Sequence, residues 1–201
     1  MESTRRDRAR VRQHLARLKR RGCNLLVVGA TDAATHRAAS RRLFGSPDAG
    51  RDRVLIAVGE TDPDRWLPDG GRVIDAAVDT RSAAAPTAPS APSPSVPAAV
   101  DAAAGESGDE PGRFRLGVTA LAPLLESPGG AETVASLRET VREANGVGHY
   151  HLSAPFDADR TRAVAADFDA VIELRRAAAG PQERWHVEGA DLVTPWLPLE
   201  E

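Results

Sequence analysis

Short apolar runs alternate along the chain with segments whose apolar residues recur at helical spacing. The runs at 25–28 and 54–58 are short and continuous, which is typical of strands buried on both faces, and 114–118 is also predicted as a strand. Further strands are predicted at 72–78, 147–152, 168–174 and 184–187. Most of these strands should therefore lie inside the protein.

Helical spacing is clearest at 132–145, where Val134, Leu137 and Val141 fall on one face. Further helical or apolar segments are predicted at 33–44, 121–125 and 157–166. Strands that alternate with helices predict an α/β fold with a mainly parallel sheet and helices on both faces.

The C-terminal part of the chain departs from this alternation. Gly180 and Pro181 separate the last two predicted strands, which favours an antiparallel hairpin at the sheet edge. Trp196, Leu197 and Leu199 are expected to fold back over the sheet as an apolar tail.

The first 21 residues form a basic segment. Val11, Leu15 and Leu18 lie at helical spacing, which predicts a helix over 4–21. Nine basic and two acidic residues give residues 1–21 a charge of +7, so the other 180 residues sum to −10. This segment could contact nucleic acid nonspecifically or an acidic protein partner. The simpler alternative is a solvated helix that packs Leu15 and Leu18 onto the domain.

Residues 81–112 are rich in alanine, proline and serine. Prolines recur there at intervals of two or three residues, at Pro86, Pro89, Pro92, Pro94 and Pro97. This composition predicts a disordered or polyproline-like insert with one helical turn near 98–104. The predicted organisation is a basic helix at 1–21 and one α/β domain in two parts, 22–80 and 113–201, around the insert at 81–112.

Composition excludes several chemistries. Lys19 is the only lysine among 26 basic residues, so a Schiff base or a pyridoxal anchor must use it or be absent. Cys23 is the only cysteine, which excludes an internal disulfide. No run approaches the roughly 20 apolar residues of a membrane span. We therefore expect a cytoplasmic protein that does not enter membranes.

Known enzyme templates also fit poorly. Ser153 lacks a glycine elbow, and Cys23 precedes a strand rather than a helix N-terminus. No spacing of paired carboxylates stands out. We predict no catalytic residue, no bound cofactor and no metal.

The turn after the first strand occupies the place of a phosphate-binding loop. Such a loop needs Gly-Lys-Ser/Thr after Gly29 and four further residues, but these places hold Ala34, Thr35 and His36. Thr119 stands where a strand-terminal aspartate would hold magnesium. The candidate ligand-binding residues of this degenerate loop are Gly29, Thr31, Asp32, Thr35, His36 and Arg37.

Several strand segments resemble an uncharacterised haloarchaeal family that is similar to degenerate RecA/KaiC-like ATPase domains. The segments that carry the resemblance are 22–29, 115–121 with Leu124 and Leu125, 146–152, 168–175 and 184–187. The resemblance implies a RecA-like sheet and a role in signalling or regulation. Active members of that superfamily use the lysine and the aspartate that this chain lacks.

His149 and His151 flank Tyr150, and strand alternation places both imidazoles on one face. Two such histidines can begin a metal site, for which His186, His36 and Asp32 are the possible third ligands. The alternative is a polar strand edge whose hydrogen bonds are satisfied.

Three functions follow as hypotheses. The first is a non-catalytic RecA/KaiC-like domain that acts as a regulatory or protein-interaction module, with a protein partner the sequence does not identify. The second is a weak ATP-binding or hydrolysing protein that uses helix N-terminal amides and Arg37. The third is nonspecific DNA association through residues 1–21. The sequence does not indicate an oligomeric state.

Overall fold

The computed structural model describes residues 17–18, 20–76, 95–187 and 192–199. Within these residues the strands are β1 (Cys23–Val28), β2 (Asp52–Val58), β3 (Arg72–Ala76), β4 (Phe114–Val118), β5 (Val147–Leu152), β6 (Ala170–Ala177), β7 (Gly180–Val187), β8 (Leu192–Val193) and β9 (Leu197–Pro198). They form one sheet in the order β3-β2-β4-β5-β1-β6-β7-β8, and β9 also pairs with β7. Strands β1 to β6 are parallel, whereas β7 is antiparallel to β6, β8 and β9.

Helices cover both faces of this sheet. They are α1 (Ala33–Phe44), α2 (Val96–Ser107), α3 (Leu121–Glu126), α4 (Gly130–Glu143) and α5 (Asp159–Ala165). Helices α2 to α5 pack on the face that carries Leu26 and Val28 of β1, whereas α1 packs on the face that carries Leu25 and Val27. Because both faces are covered, all six residues of β1 are buried.

A glycine in β4 sets the spacing between the sheet and α1. A Cβ atom on Gly117 would lie 2.6 Å from Cζ of Phe44 and 2.8 Å from Nε2 of His149. The ring of Phe44, at the end of α1, and the imidazole of His149, on β5, therefore fill the space that a side chain would occupy. This arrangement brings α1 close to the centre of the sheet.

The predicted fold class is confirmed: the sheet is mainly parallel, helices lie on both faces, and the C-terminal strands are antiparallel. The tail folds back as expected, since Leu197 pairs with Glu183 and Leu199 is buried against the sheet. Leu18 packs against the cluster around Leu25. Most of the predicted N-terminal helix, including Leu15, lies outside the described residues.

The predicted disorder at 81–112 is wrong for α2. Ser95 caps this helix by accepting a hydrogen bond from the backbone N–H of Ala98, and Pro97 lies in the first turn, where no intrahelical N–H is needed. Val100 and Ala103 are buried against the sheet and α4. Small side chains here allow close packing, so a stretch with the composition of a linker contributes to the core. Residues 77–94 lie outside the described residues, and the role of 81–112 as an insert stays a prediction.

No helix among the described residues has the length and apolarity needed to cross a membrane.

Replacing Val100 with alanine should lower the free energy of unfolding by about 2 kcal/mol, because the removed methyl groups are fully buried. Asp101→Ala, on the exposed side of the same helix, should change it by less than about 0.5 kcal/mol. Urea unfolding of both variants measures the difference. Equal stabilities would contradict the packing of α2 into the core.

Candidate functional site

The turn between β1 and α1 lies at the carboxyl end of the parallel strands, where ligands bind in open α/β sheets. Helix α1 begins at Ala33, and Asp32 is its N-cap. One carboxylate oxygen of Asp32 accepts a hydrogen bond of 2.7 Å from the backbone N–H of Thr35. The other oxygen lies 3.4 Å from Nη1 of Arg176 on β6. The first turn of α1 therefore already holds a negatively charged group.

The hydrogen bond from the Thr35 N–H and the positive charge of Arg176 lower the pKa of the Asp32 carboxyl. The helix N-terminus also favours the negative charge. In a working phosphate loop, the same N–H groups bind phosphate oxygens. Asp32 thus occupies one N–H group of the kind that a phosphate loop offers to its ligand.

Gly29 has a packing role that requires no ligand. A Cβ atom at this residue would lie 2.6 Å from the backbone oxygen of Leu174 on β6. The glycine allows the chain to leave β1 close to its neighbour β6. The glycine that suggested a phosphate loop is therefore explained by the approach of two strands.

Thr35 and His36, at the positions of the loop lysine and hydroxyl, point into the core. Their exposed fractions are 1% and 2%. Thr31 and Arg37 are partly exposed. The structure thus divides the predicted site residues: Asp32 lies at the turn surface, while Thr35 and His36 belong to the interior.

Thr119 follows β4, as expected for the residue at the magnesium position. Its hydroxyl oxygen accepts a hydrogen bond of 3.0 Å from the backbone N–H of Val58, and its own N–H donates to the oxygen of Ile56. Thr119 therefore joins the ends of β2 and β4. This contact has a structural role.

Three buried histidines, His36, His149 and His151, form a cluster between α1 and β5, named here the histidine cluster. The ring of His151 lies 5.3 Å from that of His36 and 5.4 Å from that of His149. Trp66 packs edge-on against His151 at 4.9 Å. The prediction that both β5 histidines share one face is confirmed.

Hydrogen bonds determine which nitrogen atoms of this cluster carry protons. Nε2 of His36 lies 3.0 Å from the oxygen of Gly29, and a carbonyl oxygen can only accept, so this nitrogen donates. In the neutral ring, Nδ1 of His36 is then an acceptor, and Nδ1 of His151, at 3.0 Å, donates to it. Nε2 of His149 is bonded to the hydroxyl of Ser40 at 3.0 Å. Each bond is compatible with neutral imidazoles.

Burial lowers the pKa of all three imidazoles, because the charged form would lose its hydration. The pKa of His149 falls to about 3, helped by the positive charge of Arg115. Asp32 acts in the opposite direction on the pKa of His36, but its effect is smaller than that of burial. The histidine cluster is therefore neutral at pH 7.

The alternative of a polar strand edge is wrong, because β5 lies between β4 and β1 near the centre of the sheet. The possible third metal ligands are dispersed. His186 is bonded to Glu173 and stacks on Phe156 at 3.9 Å, while Asp32 caps α1. Among the described residues, no three His, Cys, Asp or Glu side chains are grouped so that they could hold a metal ion.

Sequence reasoning missed a polar network on the β6–β7 hairpin. Glu173 accepts hydrogen bonds from Arg184, at 2.6 and 3.0 Å, and is bonded to His186 at 2.9 Å. The guanidinium groups of Arg175 and Arg184 lie 4.0 and 4.6 Å from the ring centre of Trp196. Glu173 and Arg184 are register partners in the hairpin. A register assigned to the predicted hairpin could therefore have indicated this ion pair.

Acid should destabilise the protein through the histidine cluster. An unfolded histidine has a pKa near 6.5, so below this pH the unfolded chain binds protons that the folded chain excludes. Stability is therefore fully present above about pH 6.5 and is lost as the pH falls toward the lowered folded-state values. Each histidine should contribute about 1.4 kcal/mol per pH unit within its window.

Urea unfolding between pH 6.5 and pH 5 measures this slope before most carboxylates titrate. His149→Gln keeps a neutral group that can bond to Ser40, and it should reduce the slope by the contribution of one histidine. An unchanged slope in this variant would contradict the neutral state of His149.

Comparisons with known proteins agree with this architecture. The KaiC-like protein of the hyperthermophilic archaeon Pyrococcus horikoshii OT3 superposes with a TM-score of 0.54 over 89% of this chain and 90% of that chain, at 11% identity. This similarity shows a KaiC-like RecA fold. No curated protein matches the chain. Residues 22–174 match the model of a family of unknown function, DUF7504, and the chain therefore belongs to that family.

Proposed function

We propose that this protein is a non-catalytic KaiC-like domain that serves as a regulatory or protein-interaction module in signalling. The observation that carries the proposal is the Asp32 carboxylate, which accepts the Thr35 N–H at the N-terminus of α1. A triphosphate at this turn would have to displace a carboxylate and tolerate its charge nearby. The proposal rests on this competition and on the side chains that surround it.

The side chains that would carry phosphoryl chemistry are missing or engaged elsewhere. A working loop neutralises phosphate with lysine and holds magnesium with a hydroxyl. Here the lysine position is Thr35, which is buried, and the hydroxyl position is His36, which is bonded to Gly29 and His151. The only lysine of the chain, Lys19, precedes β1.

The fold itself is complete, since both faces of the sheet are covered and its central strands are buried. A domain that keeps its core without the groups for phosphoryl transfer is suited to act through its surface. A covered sheet without the side chains for phosphoryl transfer supports a regulatory or interaction role over an enzymatic one. The KaiC-like fold is consistent with such a role but does not by itself identify a partner.

Weak nucleotide binding is the competing function. Arg37 is partly exposed on α1, one turn from the helix N-terminus. A guanidinium group can bind phosphate through two parallel hydrogen bonds. For this residue to act, Asp32 would have to release the Thr35 N–H. The competing function therefore depends on the same cap.

Thermal unfolding with ATP and magnesium distinguishes the two functions. We expect ATP to raise the melting temperature no more than tripolyphosphate at the same concentration, because phosphate alone can bind basic surfaces. Phosphate release should stay at the background of a Thr35→Ala/His36→Ala variant. An ATP-specific rise, or turnover above that background, would favour the nucleotide-binding function.

Asp32→Asn is the matched variant for this experiment. Asparagine keeps an oxygen that can cap α1 but removes the negative charge. If the charge excludes nucleotide, this variant should respond to ATP more strongly than the natural protein, still without hydrolysis. An identical response would show that the missing lysine and hydroxyl, rather than the carboxylate, prevent binding.

A further inference from the structure

Three arginines, Arg51, Arg53 and Arg115, lie together at the amino end of β2 and β4, and they are named here the arginine cluster. Arg53 and Arg115 are register partners on the two strands. Their exposed fractions are 4% and 5%, whereas Arg51 is partly exposed. The cluster lies at the opposite end of the strands from Asp32, so it is separate from the degenerate loop.

Two of these guanidinium groups are partly compensated by the end of α1. Arg51 donates to the oxygen of Phe44 at 3.1 Å. Arg53 donates to the oxygens of Phe44 and Gly45 at 3.4 Å each, and also to that of Ser46. Carbonyl oxygens at a helix C-terminus carry partial negative charge, which favours cations there. These contacts explain the positions of Arg51 and Arg53.

Arg115 is not bonded to the end of α1. Its Nε atom is buried and has no hydrogen-bond partner among the described residues. Burial and the charges of Arg51 and Arg53 lower the pKa of its guanidinium to about 10, and the buried Cys23 acts in the opposite direction. Asp52, which precedes Arg53, is bonded to Arg113 at 2.8 Å. The cluster therefore concentrates positive charge around a buried cation.

Several other arginines of the described chain have carboxylate partners. Arg42 pairs with Glu183, Arg72 with Glu106, Arg113 with Asp52 and Arg184 with Glu173. No ion pair within the described part of the chain involves Arg51, Arg53 or Arg115. A buried charge normally has a partner, because its desolvation is costly.

We propose that the arginine cluster binds a phosphate group. Guanidinium groups donate several hydrogen bonds in a planar fork that matches the oxygens of phosphate, and a phosphate would compensate more than one positive charge. Arg51, the most exposed member, provides the approach, and Arg115 donates from the interior. The phosphate group belongs either to a free ion or to the backbone of a nucleic acid.

The charge of the N-terminal segment motivates the second source. Residues 1–21 are the most basic stretch of the sequence, with a charge of +7, and basic segments favour association with nucleic acid. A free phosphate needs only the cluster.

The first test is thermal unfolding and calorimetric titration of the full chain with inorganic phosphate, against chloride at equal ionic strength. Phosphate should raise the melting temperature of the natural protein. Arg115→Met removes a buried charge that lies beside two other arginines, so it should melt higher than the natural protein without phosphate. The same variant should bind phosphate at least about tenfold more weakly.

Arg113→Gln is the matched control, because it removes an exposed, paired arginine two residues from Arg115, immediately before β4. It should leave phosphate affinity within about twofold. Arg51→Gln removes the partly exposed member of the cluster and should weaken binding about tenfold even if Arg115→Met does not fold. Absence of a phosphate-specific rise in the natural protein would overturn the proposal, as would full affinity in Arg51→Gln.

A second arm compares inorganic phosphate with a single-stranded DNA oligonucleotide. If DNA binds more tightly than phosphate and Arg51→Gln weakens both about tenfold, the nucleic-acid backbone is the source. If Arg51→Gln weakens phosphate binding alone, the ligand is the free ion. Neither result depends on Asp32. The proposed phosphate site and the proposed lack of nucleotide binding can therefore be contradicted independently of each other.

Discussion

Burial of the central strands on both faces is the constraint on which the structure depends. Strands β1 and β5 lie inside the sheet and are covered by helices on either side, so a polar group on them must be neutral or bonded within the fold. His149 and His151 meet this requirement as uncharged rings. Gly117 has no side chain, and it therefore leaves space on one face of the sheet for the rings of Phe44 and His149.

The same constraint explains why the β1–α1 turn differs from a nucleotide site. With His36 bonded to His151, the first turn of α1 is anchored to the centre of the sheet. Thr35 is buried beside it, and Asp32 is the side chain that caps the helix. The side chains of Thr35 and His36 therefore contribute to the core.

Local patterns explain how much could be predicted. Apolar runs located β1 and β2, and alternation placed His149 and His151 on one face, because these features depend on neighbouring residues. The contact between His36 and His151 spans 115 positions and requires β5 to lie beside β1. Local periodicity contains no information about the order of strands in a sheet, so this contact could not be predicted.

Two other features were missed for different reasons. Composition suggested a linker over α2, but whether alanine faces solvent or packs depends on what lies opposite it, here the sheet and α4. Arg115 lies in a segment predicted as a buried strand, and its charge gave no indication of a partner. Its isolation became visible only when its neighbours Arg51 and Arg53 were placed in space.

The N-cap carboxylate also has a consequence for how the domain could respond to its surroundings. Asp32 is tethered three residues from the N–H that it binds, so its effective concentration at that N–H is high. A dissolved anion must compete with this tethered carboxylate for the same N–H, so the binding of any anion at the start of α1 is weakened by the free energy needed to displace the cap.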